Sequence, residues 1–132
     1  MHPLYTFGYT GRHPHQLRAL TEHLDAVVVD IRFSPRSRIP DWTAGRLQQL
    51  LGDRYHHLPA LGNRNYQGGP IEFVDLEAGV VQMGELLAQQ PAIWLCACAE
   101  VRRCHRLAAV AAIAARHNLT SQPCWPWEKG YG

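Results

Sequence analysis

Between Ile93 and Arg106 the chain reads Ile-Trp-Leu-Cys-Ala-Cys-Ala-Glu-Val-Arg-Arg-Cys-His-Arg. Three of its four cysteines, one histidine and three arginines fall between Cys96 and Arg106. The stretch opens as an apolar run and closes at the start of an alanine-rich helical pattern. A buried strand that ends in thiols and cations, and then enters a helix, is a way to build a site for an anion or a nucleophile. Five residues lie between Cys96 and Arg102, and four between Cys98 and Arg103. Such spacings let a thiolate sit in a loop whose backbone N–H groups wrap an oxyanion while an arginine grips it. Cys96 is the candidate nucleophile. His105 can assist proton transfer, and Arg106 in the same helical turn can join the unpaired amides around an anion. The competing reading makes Cys96 a small buried hydrophobe at a strand end. His105 and Arg106 are then ordinary solvated side chains.

A second group lies upstream. Asp30 ends an apolar run, and a carboxylate there needs a partner. Arg32, Arg36 or Arg38 can pair with it, leaving the other two for a phosphate. Asp30 or Glu100 can act as base or as orienting partner. Alternatively, Asp30 and an arginine form a purely structural pair. Cys96, Cys98, Cys104 and His105 make a conceivable zinc set, but the Cys-x-Cys gap is tighter than usual and no second knuckle exists. No metal or cofactor is therefore expected, and a zinc-holding structural domain is the third reading.

These residues need elements to position them. Leu4 to Gly8 reads as a first strand. Tyr9 to His13 is a loop, and Pro14 suits the first turn of a helix that buries Leu17, Leu20 and Leu24. Ala26 to Ile31 is the clearest strand, its β-branched run implying burial on both faces as in a parallel sheet. Two prolines make Arg32 to Pro40 irregular. Asp41 or Thr43 should cap a second helix that carries Leu47, Leu50 and Leu51 inward and stops at Gly52. A third strand covers Arg54 to Leu58, and His56 and His57 on it should point to opposite faces. The glycine-, asparagine- and proline-rich loop from Pro59 to Pro70 is a candidate lid. A third helix, capped by Asp75, buries Leu76, Val80, Met83 and Leu87 and ends before Pro91. Ala92 to Cys96 is the fourth strand, Arg103 to Asn118 a fourth helix, and Leu119 to Cys124 an edge strand carrying Pro123.

Strand and helix alternate, which calls for a Rossmann-like three-layer α/β domain with a mostly parallel sheet of about five strands. Right-handed crossovers suggest the order 3-2-1-4-5. Ligands of such sheets sit beyond the carboxyl ends of the strands, where the winding reverses. The loops Tyr9–His13, Arg32–Arg38 and Ala97–Arg103 would share one crevice there.

At 132 residues the chain is expected to be a single domain spanning 1–132. Its net charge of +2 is too small to argue for nucleic acid by itself. The basic residues are twelve arginines and only Lys129, which favours planar recognition of phosphate or carboxylate but also fits a GC-rich coding bias. Clustered cysteines without a secretory signal point to reduced thiols and a cytoplasmic protein. The longest strongly apolar run, Leu107 to Ala115, is far below the ~20 residues needed to span a bilayer.

The assembled motifs resemble the domain of unknown function 488 family over nearly the whole chain. The resemblance rests on Tyr5-Thr6-Phe7-Gly8-Tyr9-Thr10 with Arg12, and on Val29-Asp30-Ile31-Arg32 with Pro35-Arg36-Ser37-Arg38. It continues in Tyr55-His56-His57-Leu58-Pro59 with Leu61-Gly62, and in Leu95-Cys96 followed by Cys104-His105-Arg106. It implies an α/β domain with these segments around one pocket, Tyr9, Thr10 and Arg12 included. The resemblance implies a glutamate two residues after the first cysteine, where this chain has Cys98. Glu100, two further on, would have to substitute for it.

The expected function is an enzyme acting on a phosphate-bearing small molecule or nucleic acid in a crevice lined by Cys, Arg and Asp. The alternative is a non-catalytic module that binds nucleic acid or an acidic partner.

Overall fold

The computed structural model describes residues 2–34, 39–65, 69–96, 115 and 121–123. Its elements follow the predicted alternation: β1 Leu4–Gly8, α1 Pro14–Leu24, β2 Val27–Asp30, α2 Ala44–Leu51, β3 Tyr55–His57, α3 Leu76–Leu87, β4 Ala92–Cys96 and β5 Ser121–Pro123. All strand pairings are parallel. Four strands form the order β1-β4-β2-β3, and β5 adds beside β1 at the opposite edge from β3. The expected fourth helix lies outside the described residues.

The expected strand order is corrected. β4 does not flank β1 on the side away from β2; it inserts between them, with Val28 opposite Ile93 and Tyr5 also opposite Ile93. The expectation assumed that strands one and two, consecutive in sequence, are neighbours. Instead the crossover through α1 skips one position, and the return through α3 fills the gap. The two crossovers run in opposite directions on opposite faces of the sheet, which gives them the same hand.

Strand periodicity creates those two faces. Leu4, Val27, Val29, Ala92 and Trp94 point toward α3, where Val80, Met83 and Leu87 meet them. Phe7, Val28, Ile93 and Leu95 point the other way, onto Leu17 and Leu20 of α1 and Leu47 and Leu51 of α2. Helices on both faces of a sheet buried throughout β2 and β4 give the three layers.

Local chemistry fixes the ends of the helices. Pro14 occupies the first turn of α1, and His13 caps it: its Nδ1 accepts from the His15 amide at 3.2 Å, while Gln16 Oε1 accepts from the His13 amide at 2.7 Å. Asp25, in the left-handed region at φ 51°, ends the helix. Thr43 is the residue that precedes α2, but its hydroxyl bonds Pro40 O rather than a helix amide. Pro40–Trp42 forms a tight turn there, so Asp41 falls before the helix, while Thr43 holds the N-cap position, as expected, without a side-chain bond to a helix amide. Asp75 does cap α3, accepting from the Ala78 amide at 3.2 Å.

The described parts of the predicted lid are pinned down. Pro59–Leu61 forms a helical turn, and Leu61 is fully buried beneath α3. Asn63 Oδ1 accepts from the amides of Asn65 and Glu72, and the Val74 amide donates to Gly62 O at 3.1 Å. A β-carbon on Gly62 would stand 2.6 Å from the Phe33 Cα, so the backbones of this loop and of the segment after β2 touch.

Candidate functional site

Asp30 is the last residue of β2, and its side chain shares the α1/α2 face with Val28. It is fully buried and accepts four hydrogen bonds. Oδ1 takes the Arg32 amide at 3.1 Å and Arg32 Nε at 2.8 Å. Oδ2 takes Arg32 Nη2 at 2.5 Å and the Tyr55 hydroxyl at 2.6 Å. Among the three arginines named as possible partners, Arg32 is paired with Asp30, in a two-pronged geometry that suits a guanidinium and a carboxylate.

Arg32 is held on its other sides as well. Nη1 donates to Trp42 O at 2.7 Å, and the guanidinium carbon lies 5.5 Å from the centre of the Tyr9 ring. Tyr9 is stacked on Trp42, with centroids 4.8 Å apart and planes 18° from parallel. The tight turn at Pro40–Trp42 therefore brings one carbonyl to the arginine and one indole to Tyr9. Burial works against the Arg32 cation, but the hydrogen bonds and charge of Asp30 outweigh it, with a smaller push from Tyr9, and its pKa rises. Burial, followed by the charge and hydrogen bond of Asp30, raises the pKa of the Tyr55 hydroxyl. At neutral pH the cluster is a carboxylate–guanidinium pair closed by a neutral phenol.

The rest of the rim comes from β1 and β3. Residues 9–12 form a turn closed by the Arg12 amide on Tyr9 O at 2.8 Å, with Gly11 at φ 79°. The half-buried Arg12 donates from Nη1 to Gly8 O, and its guanidinium carbon sits 5.5 Å from the Phe7 ring centre. Thr10 is exposed. His57 Nε2 lies 2.9 Å from Arg32 O, a contact in which the ring N–H donates. β3 thereby supports the backbone of Arg32 as well as its carboxylate partner. Both His56 and His57 are exposed at the sheet edge.

Cys96 stands apart from this cluster. It ends β4 opposite Gly8, and its carbonyl accepts from the Tyr9 amide at 3.0 Å. Its side chain is buried on the α3 face with Trp94 and Met83, whereas Asp30, Arg32 and Tyr9 gather on or above the other face. The structure thus brings Tyr9, Asp30 and Arg32 together, sets Arg12 and Thr10 on the neighbouring turn, and directs Cys96 into the opposite layer. Arg36, Arg38, Glu100, His105 and Arg106 lie outside the described residues, as do Cys98 and Cys104 of the zinc set. Among the described residues no three metal-binding side chains converge, and no helix is long and apolar enough to cross a membrane.

Two members of the cluster were not among the predicted site residues: Tyr55 and Trp42. Tyr55 was legible in principle. It pairs with Val28, two residues before Asp30, so the strand period sets its ring on the carboxylate's face once β2 and β3 are known to be neighbours. Trp42 carried no such signal, because it reaches Arg32 through a main-chain carbonyl in a turn.

Residues 16–72 match the family model of the domain of unknown function DUF488. This stretch is a DUF488 domain. It contains Asp30, Arg32, Trp42 and Tyr55, and therefore the whole buried ion-pair cluster apart from Tyr9. Cys96 and the turn at Arg12 lie beyond the DUF488 match. No curated protein and no solved structure matches the chain.

Proposed function

We propose that this protein is an enzyme acting on a phosphate-bearing substrate, a nucleotide or nucleic acid, bound beyond the carboxyl ends of β1, β4 and β2. One observation carries the reading. The chain leaves β1 and β2 toward the same face, on either side of β4, and the two departing loops carry Tyr9, Thr10, Arg12 and Arg32. Open α/β sheets bind ligands at such an edge. Arg32 is held by Asp30 and the Trp42 carbonyl and so fixes the backbone of its loop before any ligand arrives, which lowers the ordering cost of binding. Asp30 serves here as the orienting partner of Arg32, since four donors already occupy its oxygens. Arg36, Arg38 and Arg106 would add further grip, Cys96 would attack phosphorus as the bond to the leaving oxygen breaks, and His105 or Glu100 would protonate that oxygen.

The test is titration with inorganic phosphate and a nucleoside monophosphate at low salt, followed by amide chemical shifts. Binding should weaken with added salt, and roughly tenfold or more in Arg12→Ala, as expected for loss of a hydrogen bond to a charged group. Absence of shifts around residues 8–12 and 32 sinks the proposal. The catalytic part has its own test, the rate of Cys96 alkylation against pH. Reaction governed by an ordinary thiol pKa, near ~8.5, removes Cys96 as nucleophile.

The burial of Cys96 on the far face supports a second reading, a binding module without turnover. It expects Cys96→Ser to bind ligand unchanged. Turnover that disappears in the same variant excludes it.

A further inference from the structure

Beside the crevice, a groove of about 440 Å³ runs between the first turns of α1 and α2. His13, His15, Asp41, Arg46, Gln49 and Leu50 line it, along with Pro14. The two imidazoles are stacked, centroids 4.8 Å apart and planes 19° from parallel, and both residues are exposed. Arg46 is exposed on the opposite wall and makes no ion pair among the described residues. The chain itself joins groove to crevice, because Arg12 directly precedes His13.

Arg12, one residue before the groove, and the groove itself together offer a set of chemistries: a cation, then the pair of flat rings, then a second cation at Arg46. Single-stranded nucleic acid presents a matching alternation of phosphates with bases that stack on flat side chains. A free phosphate would use only the first member of the set. Asp41, the one carboxylate on the wall, opposes a bare anion but can accept from a sugar hydroxyl or a base amino group.

We propose that this groove binds a segment of single-stranded nucleic acid, one base lying on the His13–His15 pair and the phosphate beyond it meeting Arg46. The inference rests on the phosphate-binding reading of the neighbouring crevice and extends it to a substrate class. His13 also caps α1, so the informative substitutions are at His15 and Arg46, whose exposed side chains leave the fold intact.

The experiment is fluorescence anisotropy of a labelled single strand of about six nucleotides, compared with a nucleoside monophosphate. The single strand should bind more tightly than the mononucleotide. Arg46→Ala should weaken only the single strand, roughly tenfold, and reduce its salt slope by about one. His15→Ala should cost a similar factor and His15→Phe should restore it, because a ring is what stacks. Single-strand binding that is indifferent to Arg46→Ala and His15→Ala overturns the inference. So does a mononucleotide that binds through Arg12 while the single strand gains nothing over it, and in that case the crevice reading stands. Failure of both ligands to bind overturns the two together.

Discussion

Replacing Arg32 by methionine should lower folding stability by about 3–5 kcal/mol, the usual cost of leaving a buried charge without its partner. Arg32 supplies two of the three side-chain hydrogen bonds to Asp30 and the donor to the Trp42 carbonyl. The two side chains are 6% and 0% exposed, so water cannot take over these contacts or screen the charge left behind. Methionine preserves bulk but no donor. The Tyr55 hydroxyl and the residue 32 amide still reach the carboxylate, which argues for the lower half of that range. A domain of this size has only about 5–15 kcal/mol in total, so the variant should fold but melt early. Urea unfolding reads the effect directly: at a slope near ~2 kcal/mol per molar, the midpoint falls by about 2 M. The double variant Asp30→Asn/Arg32→Met removes the charge yet keeps an acceptor for Tyr55, and it should recover at least half of the loss. A single variant that costs under ~1 kcal/mol would mean that the pair behaves like an exposed salt bridge. A double variant no better than Arg32→Met would show that lost packing, not the stranded charge, sets the penalty.

Tyr55→Phe leaves one oxygen of Asp30 short of a donor and should cost about 1–3 kcal/mol at neutral pH. Its pH signature is more specific. The Tyr55 pKa is raised on folding, so above about pH 10 the unfolded chain releases a proton that the folded chain retains. Stability is therefore fully present below about pH 10 and falls as pH rises beyond it; in Tyr55→Phe this part of the alkaline slope should vanish from urea melts taken across that range. Gly62→Ala drives a β-carbon to 2.6 Å from the Phe33 Cα, a backbone atom that cannot swing aside. Calorimetry should register about 1–3 kcal/mol of destabilisation, and an unchanged melting temperature would mean that the two backbones are not in contact.

The elements were legible because their signals are local. Pro14 and the Leu17–Leu20 spacing define α1, the β-branched run Val27–Val29 defines a doubly covered strand, and Asp75 announces α3. Strand order was less legible because it depends on which crossover skips a position. Nothing in the local sequence says that β4 enters between β1 and β2. The demand that Asp30 be paired was equally readable, since a carboxylate in an apolar run is costly wherever it sits. The choice of Arg32 over Arg36 or Arg38 was not, and it depends on geometry: only Ile31 separates Arg32 from Asp30, and the chain turn lets its amide and guanidinium grip the same carboxylate. Cys96 shows the limit of motif spacing. Cys-x5-Arg says nothing about facing, whereas strand alternation sends this side chain toward Trp94 and Met83.

The position of the ion pair also bears on what it is for. A buried carboxylate–guanidinium pair seldom makes a protein more stable than well-packed apolar residues of the same volume would, because both charges must first be stripped of water. Asp30 and Arg32 would be a poor device if stability were all they served. They differ from an apolar pair in directionality. Five hydrogen bonds lead from this pair to one another, to β3 and to the turn before α2, and together they fix where the chain goes after β2. His57 adds a sixth on the Arg32 carbonyl. The segment so fixed begins with Arg32 and Phe33 and leaves the sheet at the edge where β1 also delivers Arg12. The cluster is best understood as the mount of a binding loop, which is why its disruption should be read in ligand affinity as well as in stability. Tyr55→Phe, which keeps the charge pair and removes only one strut, separates these effects. It should weaken phosphate binding at temperatures where the variant is still fully folded, and equal affinity in variant and wild type would mean that the pair holds the fold together and nothing more.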